Sequence, residues 1–284
     1  MDDHLRKFLA VAEAGSFTKA AAQLHISQPS LSMSVSALER RLKVKLFVRG
    51  RRLKLTNAGK LVRESAAKLR LEERNLLNGL EELIGSAAKL RLGLIDSLAE
   101  DFIFSTSARV AEIKVDNTSR LIGEVGRDGI DMAFVTLPAA NPGARFEVRR
   151  LGYEPFALVS VPENTPLLLK NIRRKALVDN LLSYDKNSTT FYWLERHLRA
   201  KGLNFKVKLY STSPDLMLEA ALRGRGPAFL PLKKVRQELK SGRLRRVSAI
   251  MFCRPIAVVC LKGKLKGKAF SGAVKAVKKS LRNE

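Results

Sequence analysis

Gly15-Ser16-Phe17-Thr18-Lys19-Ala20-Ala21-Ala22-Gln23-Leu24-His25-Ile26-Ser27-Gln28-Pro29-Ser30-Leu31-Ser32 writes two short helices and a tight connection between them. Upstream, Leu5, Phe8, Leu9 and Ala12 fall at i, i+3, i+4 and i+7, the apolar stripe of an amphipathic helix over residues 2–14. Gly15 can take the left-handed conformation that ends that helix. Ser16 is placed to cap a second helix through Ala20, Ala21, Ala22 and Leu24, whose small side chains allow a neighbouring helix to approach closely. Ser27 caps a third, with Pro29 in the first turn where a missing N–H does no harm. Leu31, Val35, Leu38 and Leu42 form its predicted buried stripe. Pro29, Met33, Ser36 and Arg40 are left facing outward, with Gln28, Ser30 and Ser32 near the exposed N-terminal end. Gln and Ser side chains and backbone N–H groups at a helix start suit phosphates and base edges in a major groove, so the pattern is that of a helix-turn-helix. Alanine-rich helices with serine caps also occur in bundles that never meet DNA. The next segment separates the two readings.

Leu46-Phe47-Val48-Arg49, Gly50-Arg51-Arg52 and Leu53-Lys54-Leu55 read as two short strands joined by a basic, glycine-containing turn. Arg49, Arg51, Arg52 and Lys54 would make salt-sensitive backbone contacts. A basic hairpin directly after a recognition helix is a wing. Thr56 then caps a long helix from about Asn57 to Gly85, with Leu61, Leu69, Leu76, Leu80 and Leu83 as an apolar seam between charged flanks. Such a helix beside a DNA-binding head is expected to be a dimerising connector, and Gly85-Ser86 breaks it.

Composition sets outer bounds. The chain has 284 residues, 45% of them hydrophobic, enough for two or three domains with a substantial core. No apolar run approaches the roughly 20 residues needed to span a bilayer, and Met1-Asp2-Asp3-His4 is unlike a signal peptide, so a cytoplasmic, nucleoid-associated protein without a membrane partner is expected. Cys253 and Cys260 lie in one apolar stretch and are expected as reduced, buried thiols. The net charge is +26, and residues 90–284 hold 36 basic against 18 acidic side chains, so most of the excess lies outside the head. Such a charge favours polyanions but does not specify a fold.

Residues 90–284 alternate strands and helices. Strands are read at Leu90–Ile95, Glu112–Val115, Ile130–Val135, Phe156–Pro162 and Ile256–Leu261. Helices are read at Ser119–Val125, Phe191–Lys201 and Pro214–Arg223, followed by Gly226-Pro227-Ala228-Phe229-Leu230-Pro231. That alternation predicts parallel pairing with ligands at the carboxyl ends of strands. His4, His25 and His197 are scattered without metal-ligand spacing. Neither G-x-S-x-G nor G-x-x-x-x-G-K occurs, so no catalysis, cofactor or metal is expected.

Taken together these residues resemble the LysR-type transcriptional regulators over essentially the whole chain. The head carries the specific match: Phe8, Ala12, Gly15-Ser16-Phe17-Thr18, Ala21-Ala22, Leu24, Ser27-Gln28-Pro29-Ser30-Leu31-Ser32, Leu38-Glu39, Leu46-Phe47, Arg49 and Leu55-Thr56-Asn57-Ala58-Gly59. Gly129-Ile130-Asp131-Met132-Ala133-Phe134 and Gly224-Arg225-Gly226-Pro227-Ala228-Phe229-Leu230-Pro231 look like two recurring strand-entry patterns of the family. The resemblance implies an α plus α/β chain: a winged helix-turn-helix over 1–58, a linker and dimerisation helix over 59–89, and an effector-binding domain over 90–284. That domain would have two lobes, similar to periplasmic binding proteins, lobe I at about 90–160 and 252–284 and lobe II at about 161–251.

Carried over by position, Ser27, Gln28, Pro29, Ser30, Ser32 and Met33 would lie at the major groove, and Arg49, Arg51 and Arg52 at the backbone or minor groove. Met33 departs from the family, which usually has a basic residue there; Met can still pack on a thymine methyl. From Leu90 to Asn117-Thr118-Ser119 the chain is shorter than the family pattern by about eight residues, roughly two helical turns, which leaves Leu98 to Arg109 for the first effector-domain helix. In the family that helix helps effector domains pair, so the usual pairing and any tetramer built on it are put in question. Ser97, Thr118, Ser119, Ser211, Thr212 and Ser213 would line an effector cleft, and helix-start dipoles with the +18 of residues 90–284 point to an anionic small metabolite. The implied partners are double-stranded DNA carrying an interrupted dyad, a small-molecule effector, and a second copy of the chain through the linker helix. Two other readings stay open: a sequence-tolerant architectural DNA binder driven by its charge, with a ligand-free rear domain, and a small-molecule or enzymatic domain with an incidental helical head.

Overall fold

The structure is a computed structural model that describes residues 2–48, 53–83, 90–105, 110–263 and 268–282. They fall into two compact units, Met1–Ala88 and Lys89–Glu284.

In the first unit α1 (Asp3–Ala14), α2 (Phe17–Gln23) and α3 (Gln28–Leu42) follow the local signals in the chain. The Asp2 carboxylate accepts from His4 N–H, and Gly15 closes α1 at φ 64°. Ser16 Oγ accepts from Lys19 N–H and Ser27 Oγ from Ser30 N–H, each meeting one of the orphan donors of a helix start. Phe8, Leu9, Val11, Ala20, Ala21, Leu31, Val35 and Leu38 make one core. Leu42, expected inside, is 40% exposed, because α3 ends there and Lys43 turns left-handed; Ala22 is exposed as well. β1 (Phe47–Val48) and β2 (Lys54–Leu55) pair antiparallel, with Phe47 opposite Leu55. Phe47 seats the hairpin by packing between Phe8 and Phe17, ring centroids 5.3 and 5.6 Å away. Arg49, Gly50, Arg51 and Arg52 lie outside the described residues.

The long helix α4 runs Asn57–Leu83, its start capped by Thr56, whose Oγ1 accepts from Gly59 N–H at 2.9 Å and donates to Lys45 C=O. Ala58, Val62 and Ala66 pack on the head core. Leu69, Leu76 and Leu80 continue that row beyond the head and are 56%, 63% and 48% exposed, while Leu61 lies off the row. The Leu83 side chain and the break at Gly85-Ser86 are outside the described residues.

The second unit is built on one eight-stranded sheet in the order β4-β3-β5-β10-β6-β9-β7-β8. The strands are β3 (Leu90–Leu94), β4 (Val110–Val115), β5 (Met132–Thr136), β6 (Phe146–Ser160), β7 (Val178–Tyr184), β8 (Phe205–Ser211), β9 (Ala228–Pro231) and β10 (Arg245–Leu261). Its helices are α5 (Asp96–Ser105), α6 (Thr118–Gly126), α7 (Thr165–Arg173), α8 (Thr189–Ala200), α9 (Pro214–Leu222), α10 (Leu232–Lys240) and α11 (Lys268–Ser280). The expected parallel sheet forms only in the outer parts, β4-β3-β5 and β9-β7-β8. The middle is antiparallel: β10 runs against both β5 and β6, and β6 against β9. Two long strands passing between lobes in opposite senses impose this, and alternation along the chain does not reveal it. Phe156–Val159 already pack in the second-lobe core, as does Phe252, so the chain changes lobe around Glu154 and Arg254. These two residues are cross-strand partners.

Several elements went unread in the sequence: β7, β8, α7, α10 and α11. The first effector-domain helix starts at Asp96 rather than Leu98, which puts Ser97 inside its first turn, and residues 106–109 lie outside the described set. Cys260 is buried as expected, but Cys253 is exposed, because the two thiols sit on opposite faces of β10.

Candidate functional site

Two sites stand out, one in each unit. In the head, α3 is anchored by Leu31, Val35 and Leu38, so its other face is presented outward by construction. Gln28, Pro29 and Ser30 are exposed in the first turn, and Met33 is 72% exposed one turn on. The Ser27 hydroxyl serves as the cap, which orients that first turn. A shallow groove of about 480 Å³ runs along this face between α1 and α3, lined by Ser30, Ser32, Met33, Ser36, Arg40 and, from α1, His4 and Lys7. His4 Nδ1 lies 2.7 Å from Ser34 Oγ, which ties the two helices at the groove. His4 and Lys7 were missed in the sequence, because nothing local says that α1 crosses beside α3.

In the second unit a cavity of about 740 Å³ opens between the lobes. Five expected residues line it: Ser97, Thr118, Ser119, Thr212 and Ser213. Ser211 does not; its hydroxyl donates to Ser213 C=O and accepts from Ser213 N–H. Four helices begin at the cavity wall. Asp96 and Ser97 open α5, Asn117 caps α6 and accepts from Arg120 N–H, Ser188 caps α8 and accepts from Phe191 N–H, and Ser213 caps α9 and accepts from Leu216 N–H. Their N-terminal dipoles make the wall attractive to negative oxygen atoms. The same wall carries Asp96, Asp116, Asp185 and Asp215 beside Arg120 and Arg254.

The cavity floor is a buried polar cluster absent from the sequence reading. Arg254 is 4% exposed and Glu154 is fully buried. Arg254 donates from Nε to Glu154 Oε2 at 3.0 Å and from Nη1 to Thr190 Oγ1 at 3.0 Å, while Nη2 reaches Glu154 and Ser97. Ser97 also donates to Glu154 Oε2 at 3.1 Å, and Thr190 lies 3.3 Å from Thr136. The guanidinium stacks over the Phe156 ring at 4.8 Å. Ser97 and Thr136 belong to the first lobe, Thr190 to the second, and the ion pair to the two crossing strands, so the cluster joins everything that meets at the cleft. Tyr184 closes the floor; burial pushes its phenol well above the ordinary value, Glu154 and Asp96 add to this, and Arg254 opposes it. The phenol therefore stays protonated. The signal that could have found the cluster is a lone Arg and a lone Glu inside apolar strand runs, where a charge is rare unless paired. Among the described residues no group of three His, Cys, Asp or Glu side chains gathers as a metal site, and no helix is long and apolar enough to cross a membrane.

The winged head and the two-lobed unit with its cleft define a ligand-responsive regulator fold. Residues 3–60 match the family described as bacterial regulatory helix-turn-helix protein, lysR family, and residues 85–282 match the LysR substrate binding domain. The chain belongs to the LysR family of transcriptional regulators, a family of regulators rather than enzymes. It is 28% identical over 264 residues to the probable RuBisCO transcriptional regulator of Cyanidioschyzon merolae, covering 86% of each chain. Among solved structures it is similar in fold to ArgP from Mycobacterium tuberculosis, with a TM-score of 0.68 at 20% identity over 99% of this chain and 97% of that one. It is similar also to full-length LysG from Corynebacterium glutamicum with bound effector Arg, with a TM-score of 0.62 at 20% identity over 100% and 99%.

Proposed function

We propose that the head reads an interrupted dyad in duplex DNA as part of a homodimer joined through α4, and that a small molecule in the inter-lobe cleft controls it. Ser27, Gln28, Pro29, Ser30, Ser32 and Met33 meet the major groove, and Arg49, Arg51 and Arg52 the backbone or minor groove. Residues 1–58, 59–89 and 90–284 serve as reading head, linker and effector domain, and the protein works in the cytoplasm on the nucleoid. The observation that carries the reading is the outward face of α3, where Gln28, Pro29, Ser30 and Met33 stand exposed opposite a closed core. A similar fold, LysG, holds the effector Arg, which supports a small molecule as the controlling partner. An effector that closes the lobes must bind closed and open forms with different affinity to alter how the two heads meet DNA. The +18 of the effector domain and the four helix starts favour negative groups on that effector, while the aspartates of the lining restrict where those groups can sit.

Footprinting at physiological salt on DNA flanking the gene tests the reading. Protection of two half-sites with dyad symmetry is expected, changing in extent when effector is added. Protection without preferred sequence, fading steeply with salt, supports instead a sequence-tolerant architectural binder driven by the +26 charge.

A further inference from the structure

The cavity floor carries a hydrogen-bond count that the described residues do not close. A guanidinium has five N–H groups. In Arg254 the Nε and one Nη2 N–H go to Glu154, the other Nη2 N–H to Ser97 and one Nη1 N–H to Thr190, which leaves one Nη1 N–H without an acceptor among the described residues. Thr136 and Thr190 share a single bond in which either can donate. Two hydroxyls sharing one bond always keep one O–H over. If Thr190 donates, the Thr136 proton is left; if Thr136 donates, the Thr190 proton is left, while the Thr190 oxygen accepts from both Thr136 and Arg254. Thr136 and Thr190 are 1% and 6% exposed, and all three residues line the cavity. Buried donors without acceptors are costly, so this floor is built for an acceptor atom that a ligand brings. The Tyr184 hydroxyl and Glu154 Oε1, also buried without partners, are one donor and one acceptor and leave that balance unchanged.

The surroundings select the charge pattern of the ligand. Arg254 is already neutralised by Glu154, so the floor offers donors and the dipoles of four helix starts rather than a free positive charge. Of the four aspartates on the wall, Asp116 pairs with Arg120 at 3.5 Å and Asp215 with Lys234 at 2.6 Å. Asp185 from the second lobe has no ion-pair partner among the described residues, and Asp96 from the first has only the longer-range charge of Lys234, whose ammonium pairs with Asp215. A ligand with negative groups alone would leave Asp185 uncompensated and Asp96 with a shared lysine.

We propose that the cleft takes an amino acid or similar small zwitterion, its carboxylate on Thr136, Thr190 and Arg254 at the floor and its ammonium between Asp96 and Asp185. This assignment rests on the cleft being the effector site. Each end of the zwitterion then contacts both lobes, which is how it favours their closure. Dicarboxylates and phosphate lack a group for the aspartates, and diamines lack one for the floor.

The test is thermal shift and calorimetry on the full chain with the twenty amino acids singly, and with succinate, putrescine and inorganic phosphate. At least one amino acid is expected to bind and raise the melting temperature, with the other three compounds inert. Asp96→Asn and Asp185→Asn, which keep shape and hydrogen bonding, should each weaken that amino acid about tenfold or more, as should Thr136→Val. Binding of succinate, phosphate or putrescine as tight as that of the best amino acid overturns the proposal. So does the absence of binding by every amino acid, or unchanged affinity in both Asn variants whose unliganded melting matches wild type. Amino-acid binding without a footprint on any DNA would remove the regulatory reading and leave this assignment standing; a footprint with no amino-acid binding would do the reverse.

Discussion

At the scale of single residues, Glu39 shows how a position at the end of a helix serves the wing. Its side chain is buried at the end of α3, where Oε1 accepts from Leu46 N–H at 2.8 Å and Phe47 N–H at 3.4 Å, and Oε2 from Lys45 Nζ at 3.0 Å. Burial alone would raise its pKa. The bonds from Leu46, Lys45 and Phe47 outweigh burial and hold the carboxyl below the usual carboxylate range. A depressed value in the folded state stabilises the head above the unfolded pKa, and that stabilisation is lost as pH falls through the folded one. Glu39→Gln is therefore expected to cost about 1–3 kcal/mol at neutral pH, with the gap to wild type narrowing in acid; urea unfolding of both proteins across that range measures it. Met33 is the other informative single position, exposed on the face of α3 proposed to meet DNA, with a side chain that has no group to hydrogen-bond a base edge strongly. Met33→Arg is expected to sharpen preference for guanine at one half-site position by about 1–3 kcal/mol, and binding selections from random duplexes would show it. Identical preferred sites for the two proteins would remove Met33 from the reading surface.

At the scale of elements, α4 depends on one close approach. A Cβ on Gly59 would stand 2.1 Å from the Leu46 carbonyl oxygen and 2.9 Å from Leu55 Cδ2, so the helix start can sit against the hairpin only with glycine there. Alanine would improve helix propensity by about 1 kcal/mol, yet the backbone clash dominates. Gly59→Ala is expected to destabilise by about 1–3 kcal/mol, read as a lowered midpoint in thermal unfolding. Further along the same helix, Leu69, Leu76 and Leu80 form an exposed row that water alone does not explain. On the proposed pairing through α4, Leu69→Asp and Leu76→Asp should sediment as monomers where the unaltered chain sediments as a dimer, with footprint strength falling because two linked heads no longer bind together. The head elements were legible in advance because Ser16, Ser27, Gly15 and Pro29 act on neighbours three or four residues away. β7 and β8 were not, since their identity rests on partners rather than on pattern.

At the scale of the whole molecule, the Glu154–Arg254 pair ties the crossing strands to both lobes. Removing one partner of a buried ion pair leaves the other charge without compensation, a cost of about 3–5 kcal/mol. Glu154→Gln should lower the calorimetric transition of the second unit, and the double substitution Glu154→Leu with Arg254→Met should recover much of the loss. The sequence alone carried the three-helix head, its caps, the wing strands, the long helix after them and the alternating character of the rear half. All of these follow from hydrogen bonds and apolar periodicities within a few residues. The tertiary structure was needed to show that the middle of the sheet is antiparallel, that Cys253 faces out, and that a buried arginine and glutamate form the floor. Those facts depend on residues about one hundred positions apart meeting across two strands, and no local pattern in a chain records which distant segment its strand will pair with.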